Sequence, residues 1–135
     1  MKSRVTLIKN MHFNGELDGH LIPIDADQSV GGENKGPRPK GLLLTALAGC
    51  TAMDVISILR KMRAEPEEFY VETEGPLTEE HPKVFKSITI RYYLKGGNVT
   101  KEKAERAIHL SLENYCGVTA MLEKACPINY ELIIE

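Results

Sequence analysis

The first part of the chain alternates between apolar and polar residues, a pattern typical of half-buried strands. Residues 2–9 form one such run, and residues 11–17 and 20–25 form two shorter ones, with Asn-Gly and Asp-Gly pairs that suit tight turns. Pro23 cannot donate a backbone hydrogen bond, so we expect the third strand to lie at an edge or to end there. The pattern therefore predicts an antiparallel three-stranded meander, followed by a polar, glycine-rich loop over residues 26–37.

The pattern changes over residues 36–63, where the chain becomes apolar at nearly every position. Pro39 suits the first position of a helix, because its ring presets φ and its missing N–H would have no helical partner there. Basic residues that complement the helix dipole follow at the far end: Arg60, Lys61 and Arg63. The polar ends, and interruptions such as Asp54, argue against a membrane span. We therefore predict a long central helix that is buried on most sides.

Such a helix needs cover all round, and one small sheet covers only one side of it. The simplest arrangement that supplies the rest is a homodimer, in which two central helices pack together between two sheets. The sequence therefore predicts a dimer before any chemistry is considered.

Alternation and helical spacing predict the remaining elements: strands over residues 69–74, 84–94 and 127–134, and helices over residues 101–115 and 118–125. Thr100 is expected to cap the first of these helices and Gly117 to end it. The inward positions of the 84–94 strand are only partly in phase, which predicts a bulge or a twist. Together the elements predict an α+β chain of order β-β-β-α-β-β-α-β, a single domain over residues 1–135 with two long helices packed on antiparallel sheet.

Composition removes several classes of function. Seventeen basic and nineteen acidic side chains give a net charge of −2, so there is no electrostatic case for binding nucleic acid or an anionic membrane. The first strand follows Met1 directly, without a signal sequence, and the three cysteines lack disulfide spacing; we expect free thiols in a reducing, cytoplasmic compartment. The cysteines and the four histidines also lack the spacing of a zinc site, so we expect no metal.

A few residues could carry chemistry. Cys50, in the middle of the central helix, is either a buried apolar side chain or a reactive thiol. Cys116 follows His109 by two helical turns, so a Cys–His pair and an exposed histidine both stay open. Arg38 stands between two prolines, and a guanidinium stabilises thiolates. Because the helical rise separates Arg38 from Cys50 by roughly 18 Å, Arg38 is better placed to serve the cysteine of a second copy.

Two segments resemble the OsmC/Ohr family of thiol peroxidases, and the resemblance runs over most of the chain. Residues 36–50, which open Gly-Pro-Arg-Pro and close Ala-Gly-Cys, are similar to the helix that leads to the first family cysteine. Residues 115–122, Tyr-Cys-Gly-Val-Thr-Ala-Met-Leu, are similar to the segment that holds the second. The continuation Met53-Asp54-Val55 is most similar to the OsmC-like subgroup. The resemblance implies an intertwined homodimer with two active sites at the subunit interface, and no metal or flavin cofactor.

By the same resemblance, Cys50 is the thiolate that attacks an organic hydroperoxide, and Cys116 resolves it as a disulfide that a cellular dithiol then reduces. Two family features are absent. The glutamate expected after the motif proline is replaced by Lys40 and Gly41, and residues 10–37 contain no arginine. Either Arg38 substitutes for the missing arginine, or activation of the thiol is weak. These departures leave an alternative open, in which the same fold binds a small apolar or acyl ligand without catalysis.

Overall fold

A computed structural model describes every residue, 1–135, and the chain divides into two compact units, Met1–Leu43 and Leu44–Glu135. The element order is β1 (Ser3–Lys9), β2 (His12–Leu17), β3 (His20–Ile24), α1 (Pro39–Lys61), β4 (Glu68–Glu74), β5 (Ile88–Lys95), α2 (Lys101–Leu110), α3 (Gly117–Leu122) and β6 (Ile128–Ile134). The predicted α+β class and order are confirmed, with the short α3 between α2 and β6. The single domain over residues 1–135 stays a prediction.

The first unit contains the predicted meander. β2 pairs antiparallel with β1 and with β3, so β2 is the central strand. Pro23 lies in β3, at the edge of the sheet, where its missing donor costs no ladder hydrogen bond. Every residue of β1 is exposed in the single chain, including Val5 and Leu7.

The loop after β3 is held by one buried carboxylate. Asp25 is only 2% exposed and accepts hydrogen bonds from the backbone N–H groups of Ala26 (2.7 Å), Glu33 (3.2 Å) and Lys35 (3.1 Å). Burial opposes the charge of Asp25, but these donors outweigh it and lower the pKa of the carboxyl below its ordinary value. A Cβ at Gly32 would overlap the carbonyl of Ala26, so this tight loop requires glycine there.

The second unit is built on the sheet β4-β5-β6. β5 pairs antiparallel with β4 but parallel with β6, so the prediction of a purely antiparallel sheet is wrong at this pair. The physical reason is the connection: α2 and α3 carry the chain back to the starting end of β5, which makes a crossover rather than a hairpin.

β5 is the centre of this sheet and alternates without interruption. Its buried residues are Ile88, Ile90, Tyr92 and Leu94, and its register with both neighbours is continuous. Of the predicted bulge or twist, the bulge is therefore wrong. Residues 84–87 lie before the strand, with Phe85 in an isolated bridge to Leu77, and including them in the strand shifted the apparent phase.

α1 begins at Pro39, as predicted, but the single chain buries only one stripe of it. The buried residues are Leu47, Thr51, Val55 and Leu59, spaced one helical turn apart. Met53, on another side, is 73% exposed. By length and apolar composition α1 could span a membrane, contrary to the argument from its polar ends, although core helices of water-soluble proteins meet the same criterion. The prediction of a helix buried on most sides is therefore not met within the single chain, and the predicted homodimer stays a prediction.

α2 starts where the sequence predicts, since the side chain of Thr100 accepts a hydrogen bond from the N–H of Lys103 (3.2 Å). Its end is different. The α-helix stops at Leu110, a π-helical turn follows over Ser111–Tyr115, and Cys116 is extended, with φ −77° and ψ 99°. Gly117 is therefore not a helix C-cap, as predicted, but the first residue of α3.

Candidate active site

The structure brings together two cysteines that are far apart in the sequence. Cys50 and Asp54 lie one turn apart on α1, and Cys116 lies at the break between the π-helical turn and α3. The sulfur atoms of the two cysteines and a carboxylate oxygen of Asp54 all lie within 4.8 Å of one another. All three cysteines are free thiols. To form a disulfide, the two sulfur atoms would have to close from this separation to an S–S bond of about 2 Å.

The π-helical turn places Cys116. Its backbone N–H donates to the carbonyl of Ser111 (2.7 Å), which closes the wide turn. Such turns interrupt α-helices at functional positions more often than elsewhere. The same turn directs the Ser111 hydroxyl to Asp54, where it donates to Oδ2 (2.9 Å).

A chain of buried hydroxyl groups supports this pair. Thr51 Oγ1 lies 2.8 Å from Ser111 Oγ and 2.7 Å from the hydroxyl of Tyr92, and all three side chains are fully buried. Since Tyr92 belongs to the central strand β5, the network connects the sheet, α1 and the π-helical turn. Buried polar networks that are satisfied in this way fix the geometry of their members. The orientation of the Asp54 carboxylate is therefore fixed by buried hydroxyl groups of Ser111, Thr51 and Tyr92.

The two thiols have different environments. Cys116 is 3% exposed, and its sulfur accepts a hydrogen bond from the N–H of Thr119 (3.4 Å). Burial raises the pKa of the Cys116 thiol and the neighbouring Cys50 adds to the rise, although the contacts with Thr119 oppose it. Cys50 is half-buried and so more exposed than Cys116. Of the two thiols, that of Cys50 therefore belongs to the residue more accessible to a reagent from solvent.

Arg38, the third predicted site residue, has all its polar partners within its own loop. Its guanidinium donates to Asn34 Oδ1 (2.8 Å) and to the carbonyl of Gly36 (3.0 Å), and it lies 3.8 Å from Asp27. Its side chain is 42% exposed, so some of its donors remain available to another molecule.

The other candidate residues, His109 and Cys126, lie outside the cluster of Cys50, Asp54 and Cys116. His109 is exposed and pairs through Nε2 with the hydroxyl of Tyr130 (2.8 Å), so it makes no Cys–His pair with Cys116. Cys126 is half-buried against the core. The sequence analysis used Asp54 only as a polar interruption of the central helix, and it missed the hydroxyl chain. The spacing of Cys50 and Asp54 was a usable signal, whereas the position of Ser111 depends on the π-helical turn, which no local pattern indicates.

This fold and its paired cysteines define a class of proteins. A family model of OsmC-like proteins matches residues 32–131, so the chain belongs to the OsmC-like family. The resemblance of the two cysteine segments is thereby confirmed.

Relatives extend over nearly the full length. The protein YhfA of Escherichia coli is 35% identical over 136 residues, which is 98% of each chain. The crystal structure of a hypothetical protein from Aquifex aeolicus is 31% identical, with a TM-score of 0.84, over 99% of this chain and 96% of that one. An organic hydroperoxide resistance protein OsmC from Legionella pneumophila is 17% identical, with a TM-score of 0.69, over 99% of this chain and 95% of that one, and shares the fold.

Proposed function

We propose that this protein is a thiol peroxidase that reduces organic hydroperoxides and acts in the response to oxidative stress. The observation that carries the proposal is the approach of the Cys50 and Cys116 sulfur atoms to within 4.8 Å. Two free thiols at that distance, one half-buried and one buried, suit an attacking and a resolving cysteine. Distant proteins of the same fold, known as organic hydroperoxide resistance proteins, make this chemistry the first to test.

The reaction divides between the two sulfurs. The Cys50 thiolate attacks one oxygen of the O–O bond, the bond breaks, and the other oxygen leaves as an alkoxide that takes up a proton to become an alcohol. Cys50 is then a sulfenic acid. The Cys116 thiol attacks that sulfur, water leaves, and a Cys50–Cys116 disulfide forms. A dithiol reductant returns both residues to thiols by exchange, so no metal or flavin takes part.

Exposed apolar surface supports the proposal of a homodimer. Val5, Leu7 and Ile8 of β1 are each more than half exposed, and Met53 of α1 is exposed beside the site. Large exposed apolar surface is typical of a protein–protein interaction site. In a dimer, Arg38 of one copy can approach Cys50 of the other, where a guanidinium would stabilise the thiolate.

Peroxide-driven oxidation of a dithiol tests the function. With cumene hydroperoxide and dithiothreitol, we expect steady turnover by the native protein and none by Cys50→Ser. Cys116→Ser should still form one trapped sulfenic acid at Cys50 but should lose disulfide formation. Cys126→Ser, a half-buried cysteine outside the pair, is the matched control and should keep the native rate. Equal turnover by the native protein and by Cys50→Ser would refute the proposal.

A ligand-binding role without catalysis is the second candidate. It is favoured by the missing family glutamate, whose positions hold Lys40 and Gly41, and by the engagement of Arg38 within its own loop. An apolar or acyl molecule that copurifies with the protein, together with a Cys50 that resists sulfenic acid formation, would replace the peroxidase proposal with this one.

A further inference from the structure

We propose that the reduced cluster of Cys50, Asp54 and Cys116 is a binding site for a borderline-soft divalent cation, with Zn²⁺ as the physiological ion. The three donor atoms converge from α1 and from the start of α3, each within 4.8 Å of the others. Zinc binds thiolate sulfur at about 2.3 Å and carboxylate oxygen at about 2.0–2.2 Å, which places donors of one tetrahedral site roughly 3.5–3.8 Å apart. The observed cluster needs only a small contraction to reach that geometry. This proposal does not depend on the proposed peroxidase function.

The charges of the cluster call for a cation. Two thiols and a carboxylate face one another, and the only side chain that hydrogen-bonds Asp54 is Ser111; no Lys or Arg forms an ion pair with it. Without a cation, deprotonating both thiols beside this carboxylate would bring three negative charges together. A divalent cation removes that cost, because it replaces the two thiol protons and shares the carboxylate. Binding therefore releases two protons for each ion bound.

The second layer of the site is already in place. Ser111 donates to Oδ2 of Asp54 and is itself within hydrogen-bond distance of Thr51, while Oδ1 makes no hydrogen bond and keeps its lone pairs free. Outer hydrogen bonds of this kind orient ligating carboxylates and raise metal affinity. Cys50 and Asp54 are half-buried rather than enclosed, so a fourth position is left for water or another small ligand.

The donor set also selects the ion. Thiolate sulfur favours zinc and its soft analogues, whereas Mg²⁺ and Ca²⁺ prefer oxygen donors throughout. The expectation of no metal came from the absence of closely spaced ligand pairs. Here the third ligand arrives through the fold, because the π-helical turn brings Cys116 to α1. A disulfide between Cys50 and Cys116 would remove both thiolates, so metal binding and the oxidised state exclude each other.

Cobalt titration of the reduced, metal-free protein tests the site. Under anaerobic conditions we expect one Co²⁺ per chain, a thiolate-to-cobalt charge-transfer band, loss of that band when Zn²⁺ is added, and release of two protons in weak buffer. Cys50→Ser, Cys116→Ser and Asp54→Asn should each weaken binding by at least about tenfold. Cys126→Ser and Asp18→Asn, which change a cysteine outside the cluster and an exposed turn carboxylate, should bind normally.

Several outcomes would overturn the proposal. These are a charge-transfer band that persists in Cys50→Ser, a band abolished by Cys126→Ser, or native affinity in an Asp54→Asn protein whose circular dichroism is native. Peroxidase assays on metal-free protein separate this proposal from the previous one. Peroxidase turnover without Co²⁺ binding would refute only the metal site. Co²⁺ binding without turnover would refute only the peroxidase function.

Discussion

The orientation of the site residue Asp54 depends on hydrogen bonds from residues distant in the sequence. Asp54 is one turn from Cys50 on α1, and its orientation is set by Ser111 rather than by any neighbour in the helix. Ser111 is fully buried and also lies within hydrogen-bond distance of Thr51. Its hydroxyl therefore serves two partners at once, and removing it leaves a carboxylate and a threonine each short of a hydrogen bond.

We expect Ser111→Ala to lower the free energy of unfolding by about 1–3 kcal/mol, the usual cost of leaving a buried polar group unpaired. Urea unfolding followed by circular dichroism measures the change. Ser57→Ala, at an exposed position of α1, is the matched control and should stay within about 0.5 kcal/mol of the native protein. If both variants unfold at the same urea concentration, the hydroxyl chain contributes nothing to stability.

Among the elements, those specified by local chemistry were the predictable ones. Pro39 starts α1 and Thr100 caps α2 as expected, because a ring geometry and a side-chain hydrogen bond act within a few residues. The parallel pairing of β5 with β6 and the π-helical turn at Ser111–Tyr115 were not predicted. Both depend on contacts between segments distant in the sequence, which periodicity does not record.

The candidate site divides in the same way. The two cysteine segments were recognisable, because each has a characteristic run of residues around its thiol. That the two sulfur atoms lie together with Asp54 follows from the packing of the π-helical turn on α1, and only the fold shows it. Tyr92 was missed for a related reason, since the misplaced start of β5 hid its inward position.

The loop after β3 offers a test of a single element through pH. The ordinary pKa of an aspartate carboxyl is 3.8, and in the folded protein the pKa of Asp25 is lower, because three backbone donors outweigh its burial and His12 assists them. A lowered folded pKa contributes stability that is fully present above the unfolded value and is lost as the pH falls through the folded one. We therefore expect the native unfolding temperature to fall as the pH drops below about 4.

The control for that experiment is Asp25→Asn. It should unfold at a lower temperature than the native protein at neutral pH, and the difference between the two should shrink in acid. Asp18→Asn, at an exposed turn, should track the native protein at every pH. A constant difference between native and Asp25→Asn proteins across the acid range would show that the Asp25 charge does not hold the loop.

For the proposed homodimer, the decisive question is whether one active site uses residues from both chains. Arg38 and Cys50 lie on the same helix-forming segment, separated by roughly 18 Å of helical rise, and Arg38 is held by its own loop. The proposed dimer resolves this, because the Arg38 of one copy can serve the Cys50 of the other. In that arrangement a chain lacking Cys50 still donates a functional arginine, and a chain lacking Arg38 still donates a functional thiol.

Mixed dimers test this arrangement directly. Cys50→Ser and Arg38→Ala proteins should each be inactive or strongly impaired as peroxidases, because every site in those dimers lacks one residue. Co-refolding equal amounts gives mixed dimers that contain one complete site, so we expect activity per chain to rise to roughly a quarter of the native value. Cys50→Ser mixed with Cys50→Ser/Arg38→Ala is the matched control and should stay inactive.

Sedimentation should give about twice the 15.1 kDa chain mass for every sample. Failure of the mixture to exceed the sum of its parts would place Arg38 outside the partner's site, because two-chain sharing requires that complementation.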